Sequence, residues 1–334
     1  MPPCIPDASN HRANNADPCP IAQCRRSLDS TQRSFSRFRR HAFHAIQRTA
    51  HPHHEATPLT TLRTLVNQLG RIVAPPEGVE LQEGEVDGIP YDFWTPANLQ
   101  PGRILLYSHG GGYTMFSRRT HRSLAARLAH EMAAQAIVYD YRLAPEHRFP
   151  AAIEDALMVY KYVLRAGYDP KNIILAGDSA GGGITFALML AARHEGLPLP
   201  GLAIGLSPWV DMTLSGTSMR ENADTDVMLT PTVVEHFREK YLGSGDPKHP
   251  YVSPLFADLK GLPPVMLQAA GEEILRDDSV SFAAALRAAG VKVELDVWPG
   301  LFHVFELAWR WLPESEEAIV KIGDFVRRHF SLKS

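Results

Sequence analysis

The chain runs Ile173-Ile174-Leu175-Ala176-Gly177-Asp178-Ser179-Ala180-Gly181, and this stretch decides the fold. Four apolar residues predict a buried strand, and the small residues after Gly181 predict a helix. A strand that enters a helix through G-x-S-x-G must turn so tightly that side chains two positions before and after the serine would collide. The turn holds the Ser179 hydroxyl out above the sheet, at a helix N-terminus. We therefore predict Ser179 as a nucleophile; the competing interpretation is a glycine-rich loop with a capping serine.

A second glycine run, His109-Gly110-Gly111-Gly112-Tyr113, follows an apolar stretch that predicts a strand. Glycines leave backbone N–H groups uncovered, so that they can approach a bound group closely and stabilise a developing oxyanion. The predicted donors are the amides of Gly111, Gly112 and Ala180. A phosphate-binding loop is the alternative, but it needs a Lys-Ser/Thr pair that Tyr113-Thr114-Met115 does not supply.

The rest of the chain alternates between apolar strands and amphipathic helices. Val79 to Trp94 predicts two strands joined by a turn at Val86-Asp87-Gly88. Further predicted strands are Arg103 to Ser108, Ala136 to Tyr141, Asn172 to Gly177, Gly201 to Leu206, Val265 to Ala270 and Lys292 to Val297. Predicted helices are Pro58 to Leu69, Arg119 to Ala133, Ala151 to Ala166, Ala180 to His194, Asp277 to Ala289 and Glu314 to His329. This order predicts an α/β fold with a mostly parallel sheet covered by helices on both faces.

Two regions fall outside the alternation. Residues 1–54 are rich in Ser, Asn, Arg and His, and they predict a disordered arm; a transit-like segment and a nucleic-acid-binding arm are the alternatives. The catalytic domain is then 55–334. More than fifty residues separate the strands ending at Leu206 and starting at Val265, which is too long for a plain loop. We expect a helical cap from about 55–75 and 211–250, including a helix at Pro231 to Leu242.

Composition excludes several classes of protein. The chain has 334 residues, 45% of them hydrophobic, and a formal net charge of -3, so its overall charge does not favour nucleic acid or an anionic membrane. No apolar run approaches the roughly 20 residues that a membrane span needs. The three cysteines, Cys4, Cys19 and Cys24, form neither a disulfide framework nor a convincing metal site, so we expect no metal and a cytoplasmic location.

A serine nucleophile needs a general base, and position in the chain selects one from 15 histidines. On this kind of sheet the base follows the acid, after the last strands. His303 lies just past the predicted strand that ends at Val297, whereas His194 lies on the helix that leads away from Ser179. We therefore predict His303 as the base.

The acid is less clear from the residues alone. Four carboxylates follow the strand ending at Ala270: Glu272, Glu273, Asp277 and Asp278. The two aspartates are predicted in the first turn of the next helix, where acids interact favourably with the helix dipole. The two glutamates lie at the carboxyl end of the strand, where catalytic residues of open α/β sheets gather. The residues leave the choice between the glutamates open.

From Pro58 onward the chain resembles the hormone-sensitive-lipase-like family of α/β-hydrolases, the bacterial family IV esterases. The matching motifs are His109 to Tyr113, Asp140 to Glu146 with Phe149 to Ala152, Gly177 to Gly182, and Gly300 to Phe305. The resemblance implies an α/β-hydrolase fold with a helical cap, and hydrolysis of short acyl esters without a cofactor. It also implies Glu273 as the acid, at a position where the family usually has Asp-Pro-Leu and this chain has Glu273-Ile274-Leu275.

Together these patterns predict a serine carboxylesterase that acts on short- to medium-chain acyl esters through Ser179, Glu273 and His303. A lactone or aryl-ester hydrolase of the same mechanism is the main alternative, amide hydrolysis stays open, and a non-catalytic small-molecule receptor is less favoured because base and nucleophile are both present. Side chains near the motifs predict the substrate pocket: Tyr113, Phe116, Trp209 and Met212. The expected partner is a small-molecule ester. The residues leave the oligomeric state open, and the resemblance implies a homodimer through the last strand and helix as one candidate.

Overall fold

The computed structural model describes residues 59–69 and 73–331, and an eight-stranded sheet forms its centre. The strands are β1 Val79–Val86, β2 Ile89–Pro96, β3 Ile104–Ser108, β4 Gln135–Tyr139, β5 Ile173–Asp178, β6 Leu202–Leu206, β7 Val265–Ala270 and β8 Val293–Trp298. They lie in the order β1-β2-β4-β3-β5-β6-β7-β8. Strand β2 pairs antiparallel with β1 and β4, and all other neighbours are parallel. The predicted α/β fold with a mostly parallel sheet is confirmed.

Helices connect the parallel strands. Those of the described residues are α1 Leu59–Leu69, α2 Arg122–Met132, α3 Ala151–Arg165, α4 Ala180–His194, α5 Ser218–Glu221, α6 Pro231–Leu242, α7 Arg276–Ala288 and α8 Pro313–Ser331. Short 3₁₀ turns lie at Pro170–Asn172, Pro254–Phe256 and Phe305–Ala308. The prediction for α2 begins three residues too early, because the Thr120 N–H closes a turn onto the Ser117 carbonyl before the helix starts.

Two hydrophobic cores cover the two faces of the sheet. Side chains alternate across a strand, so Ile104 and Leu106 of β3 pack on one face, among residues of α3, α4 and α7. Leu105 and Tyr107 pack on the other face, among residues of α2 and α8. All four are at most 1% exposed, as expected for a strand buried on both sides.

The parallel register brings the loops of interest to one edge of the sheet. Ser108, the last residue of β3, lies opposite Gly177 of β5, and Ala270 of β7 lies opposite Trp298 of β8. The carboxyl ends of these strands therefore open onto the same crevice, which is where ligands bind in open α/β sheets.

The long connection between β6 and β7, here called the insertion, contains α5 and α6. Helix α6 has the predicted bounds because Thr230 caps it, its hydroxyl accepting from the Val233 N–H, and Pro231 fits the first helical position. The predicted arm at 1–54 lies outside the described residues. No helix in the described part of the chain is long and apolar enough to cross a membrane.

Candidate active site

Ser179 lies in the tight turn between β5 and α4. Its backbone has φ 51° and ψ -121°, a conformation that non-glycine residues rarely adopt. The turn is fixed because the Ser179 N–H donates to the Leu206 carbonyl, and the Ser179 carbonyl accepts from the Trp209 N–H, both at 2.9 Å. The strained turn predicted from the sequence is therefore present.

The two glycines that flank the turn are required by close packing. A Cβ on Gly177 would collide with the Gly181 carbonyl oxygen, and a Cβ on Gly181 would collide with the Ser108 carbonyl oxygen. Backbone cannot move aside as a flexible side chain can. The sequence argument for glycine two positions before and after Ser179 thus has a direct structural cause.

The structure brings Ser179, His303 and Glu273 together. The His303 Nε2 lies 2.9 Å from the Ser179 Oγ, and its Nδ1 lies 2.5 Å from the Glu273 Oε2. The other carboxylate oxygen of Glu273 accepts a 2.9 Å hydrogen bond from the Ala270 N–H, and the side chain is fully buried. This is the geometry of a nucleophile, a base and an orienting acid, whose catalytic roles stay predictions.

The competing carboxylates have other contacts. Glu272 is half-buried beside Glu273. Asp277 and Asp278 lie in the first turn of α7, as predicted, and both accept hydrogen bonds from the insertion. Asp277 accepts from the Thr217 hydroxyl and the Ser218 N–H, whereas Asp278 accepts from the N–H groups of Val210 and Asp211.

The charge of Glu273 controls the protonation of His303. Burial lowers the pKa of His303, because a charged imidazolium loses its hydration, but the hydrogen bond and charge of Glu273 raise it by more. The charges of Asp226 and Asp178 act in the same direction, so the net pKa lies above the ordinary value. A base with this environment accepts a proton readily and holds the resulting cation against Glu273.

The second glycine run borders Ser179. Gly111 and Gly112 have φ values of 114° and 59°, and a Cβ there would collide with the Met115 carbonyl and the Phe237 ring, respectively. Helix α4 begins at Ala180, so the amide of Ala180 belongs to the first turn, whose N–H groups have no acceptor within the helix. These are the three predicted oxyanion donors.

Asp178 joins the two glycine turns, and sequence reasoning missed this role. Its Oδ1 accepts from the Gly110 N–H at 3.0 Å and from the Tyr107 hydroxyl at 2.7 Å. Its Oδ2 lies 3.3 Å from the His121 Nε2. Burial raises the pKa of Asp178, but His121 and the other donors lower it by more, so the net pKa of Asp178 lies below its ordinary value. The only signal in the sequence was an acid next to Ser179.

The predicted pocket residues divide into two kinds. Tyr113, Trp209 and Met212 are at most 1% exposed and belong to a hydrophobic core; the Tyr113 ring stacks on Tyr241 with ring centres 3.8 Å apart. Phe116 is half-buried and lies against Gly111. Of the four, Phe116 is the one whose side chain is partly exposed.

Comparisons with known proteins identify the fold and the family of the chain. Residues 105–307 match a family model described as alpha/beta hydrolase fold. An acetyl-hydrolase of Streptomyces hygroscopicus is 40% identical over 70% of this chain and 78% of its own, and the putative acetyl-hydrolase LipR of Mycobacterium tuberculosis is 36% identical over 80% and 86%. A solved esterase from the bacterial hormone-sensitive lipase family has a TM-score of 0.82 and 36% identity, covering 90% of this chain and 97% of its own.

The chain therefore belongs to the α/β-hydrolase fold family. Within that family it belongs to the hormone-sensitive-lipase-like group, since the solved esterase just described comes from the bacterial hormone-sensitive lipase family. EstE5, in a crystal soaked with p-nitrophenyl butyrate, is a further structural neighbour, with a TM-score of 0.81, 38% identity and coverage of 87% of this chain and 97% of that one. The resemblance inferred from the motifs is confirmed.

Proposed function

We propose that this serine carboxylesterase hydrolyses short- to medium-chain acyl esters through an acyl-enzyme on Ser179. The observation that carries the proposal is the hydrogen-bonded series from the Ser179 Oγ through His303 to Glu273, at 2.9 and 2.5 Å. The esterases and acetyl-hydrolases to which the chain is similar support the reaction class.

The reaction proceeds in two halves. In the first, the Ser179 Oγ attacks the ester carbonyl while its proton passes to the His303 Nε2, and the carbonyl oxygen becomes an oxyanion that accepts from the amides of Gly111, Gly112 and Ala180. The intermediate expels the alcohol, which takes the proton back from His303. In the second half, a water molecule gives a proton to His303 and attacks the acyl group, and Ser179 regains its proton when the carboxylic acid leaves.

Glu273 is the acid in this proposal. It keeps the His303 ring in the tautomer that presents Nε2 as an acceptor, and it stabilises the imidazolium that forms at each proton transfer. Asp277 and Asp278 are poor alternatives because their oxygens are engaged by the insertion.

The positions of two phenyl rings favour substrates with short acyl groups. Phe116 packs on Gly111, and Phe237 of α6 packs on Gly112, so aromatic side chains border the glycine loop on two sides. We therefore expect short acyl groups to fit beside the loop better than long ones. Substrate contact by Phe116 belongs to this proposal, and so do Tyr113, Trp209 and Met212 as side chains that shape the pocket from the core.

We also propose that α1 and the insertion form the cap, corresponding to about 55–75 and 211–250. Arg63 of α1 donates to the carbonyls of Thr114 and Ala144, at 2.8 and 2.6 Å, and so ties this helix beside the glycine loop. Phe237 reaches the same loop from the insertion.

A homodimer through β8 is a further part of the proposal. This strand lies at the end of the sheet, pairs with β7 alone among the described strands and exposes Val297 by 41%. If this edge forms the interface, light scattering should give the mass of a monomer for a Val297→Asp variant.

A cytoplasmic location is proposed from the sequence, because residues 59–334 contain no cysteine and need no oxidising compartment.

The test compares Ser179→Ala with Ser244→Ala, a matched change at an exposed serine. With p-nitrophenyl esters from acetate to laurate, an aryl acetate and a lactone, kcat of Ser179→Ala should fall on the order of 10⁶-fold, to the blank rate. Ser244→Ala should keep wild-type turnover. In both the wild type and this control, the rates should be highest for the esters with shorter acyl chains. Undiminished hydrolysis by Ser179→Ala would overturn the mechanism, and a maximum at laurate would overturn the substrate range.

A further inference from the structure

The insertion contacts the backbone around Glu273 directly. We call residues 271–275 the acid loop and residues 222–226 the fastening turn. The Asn222 Nδ2 donates to the carbonyl oxygens of Gly271 and Glu273, at 3.0 and 2.8 Å. The Asp226 Oδ2 accepts from the Ile274 N–H at 2.8 Å. Two side chains of the fastening turn therefore hold the acid loop on both sides of Glu273.

Both side chains are themselves fixed. Asn222 is 8% exposed and Asp226 is 5% exposed, so water competes little for their hydrogen bonds. The second oxygen of Asp226 accepts from the N–H groups of Met228 and Leu229, at 2.8 and 3.0 Å, which sets the orientation of its carboxylate. The fastening turn is thus a rigid support and not a loose surface contact.

We propose that Asn222 and Asp226 are positioning residues that hold the Glu273 carboxylate against His303. The proposal rests on the proposed function, in which Glu273 is the acid. Neither residue reaches the Ser179 hydroxyl by a hydrogen bond; each acts through the backbone of the acid loop. The insertion therefore serves the catalytic geometry as well as covering the site.

A glutamate at this position gives the support a physical purpose. Its side chain has one more rotatable bond than aspartate, so it loses more conformational freedom when it is held in one place. The Glu273 carboxylate is fixed at its tip by the Ala270 N–H and by His303. Fixing its backbone through Asn222 and Asp226 leaves few conformations in which the carboxylate misses the imidazole.

Asp226 also contributes a negative charge near His303. The charged groups that face His303 are Glu273 from the acid loop, Asp226 from the insertion and Asp178 from β5. Buried Glu306, in the 3₁₀ turn that follows His303, interacts electrostatically with Glu273 and Asp178. Removing the charge of Asp226 should lower the pKa of His303, because one of the anions that favour the imidazolium is lost.

The first experiment measures kcat and KM for Asn222→Ala beside Asp224→Asn, which changes an exposed residue of the same turn. A misplaced acid should lower kcat about 10²-fold and leave KM nearly unchanged, since substrate binding does not use Glu273. Asp224→Asn should keep wild-type values. Unchanged kcat in Asn222→Ala, with melting temperatures matched to the wild type, would overturn the proposal.

A double-mutant cycle separates positioning from general destabilisation. If Asn222 acts through Glu273, then Asn222→Ala should cost less than about twofold when Glu273 is already Gln. An equal cost in both backgrounds would assign Asn222 a structural role only. If Glu273→Gln alone keeps wild-type turnover, the acid assignment and this proposal fail together; if it abolishes turnover while Asn222→Ala does not, only this proposal fails.

Asp226→Asn provides a second variant, should Asn222→Ala fold poorly. The substituted amide cannot accept at both former oxygen positions, and the charge is lost. The acidic limb of kcat/KM should move to lower pH, and kcat should fall with KM unchanged. A limb that stays in place, with unaltered kcat, would overturn the role of Asp226.

Discussion

The candidate active site has two halves that are built differently. The nucleophile half, Ser179 with the loop 109–113, is shaped by backbone: glycines at positive φ, a strained serine and carbonyl oxygens that exclude any Cβ. The base half, His303 with the acid loop, is shaped by side chains that come from distant parts of the chain. Asn222 and Asp226 hold the acid loop, and the Ser207 hydroxyl accepts from the Val304 N–H beside His303.

The difference explains why one half can be predicted from the sequence and the other cannot. Steric requirements on a tight turn concentrate glycines at fixed spacing, which leaves a motif in the sequence. Hydrogen bonds between a turn and a loop about fifty residues away leave no local pattern, because many polar residues could supply them. The same difference predicts how the halves respond to substitution: abruptly where backbone fills the space, and in graded steps where side chains supply the support.

Of the substitutions that compare the two halves, the one at the acid, Glu273, should have the largest effect on kcat. Glu273→Gln should lower kcat about 10⁴-fold, because the amide neither stabilises imidazolium nor fixes the productive tautomer. Asp277→Asn removes an equal charge nearby and should cost far less, since Asp277 contacts the insertion and not His303. Steady-state kinetics with p-nitrophenyl butyrate checks the ranking, and the reverse order would move the acid to Asp277.

A smaller effect is expected in the nucleophile half. Gly111→Ala should lower kcat about 10²–10³-fold, because the new Cβ meets the Met115 carbonyl oxygen and displaces an oxyanion donor. Gly261→Ala is the matched control: it also has positive φ, at 74°, but open space around its Cβ position. Comparable losses in the two variants would attribute the effect to backbone strain alone.

The smallest effect is a shift in pH dependence. The neutral form of His303 accepts the proton from Ser179, so kcat/KM should fall as pH drops through the pKa of His303. Burial lowers that pKa, but the hydrogen bond and charge of Glu273 raise it by more, so the net pKa of His303 lies above its ordinary value. In Glu273→Gln the acidic limb of the residual activity should therefore lie at lower pH; a limb that moves to higher pH would contradict the assigned electrostatics.

The sequence predicted the sheet because its strands are short, apolar and regularly separated by helices. It also predicted Ser179 and the glycine loop, whose steric rules are local. It could not decide between Glu272 and Glu273 from the residues alone, because the acid loop has no regular period, and the resemblance to a family was needed. Tyr113, Trp209 and Met212 lie deeper than a pocket prediction suggests, since proximity to a motif does not distinguish a lining side chain from the core beneath it.

The central claim is that Ser179 is the nucleophile which His303 activates. Covalent labelling with a fluorophosphonate, followed by peptide mass mapping, tests it most directly. We predict a single adduct on the peptide that carries Ser179, no adduct in Ser179→Ala, and much slower labelling in His303→Ala. An adduct on a different serine, or undiminished labelling of Ser179→Ala, would contradict the account.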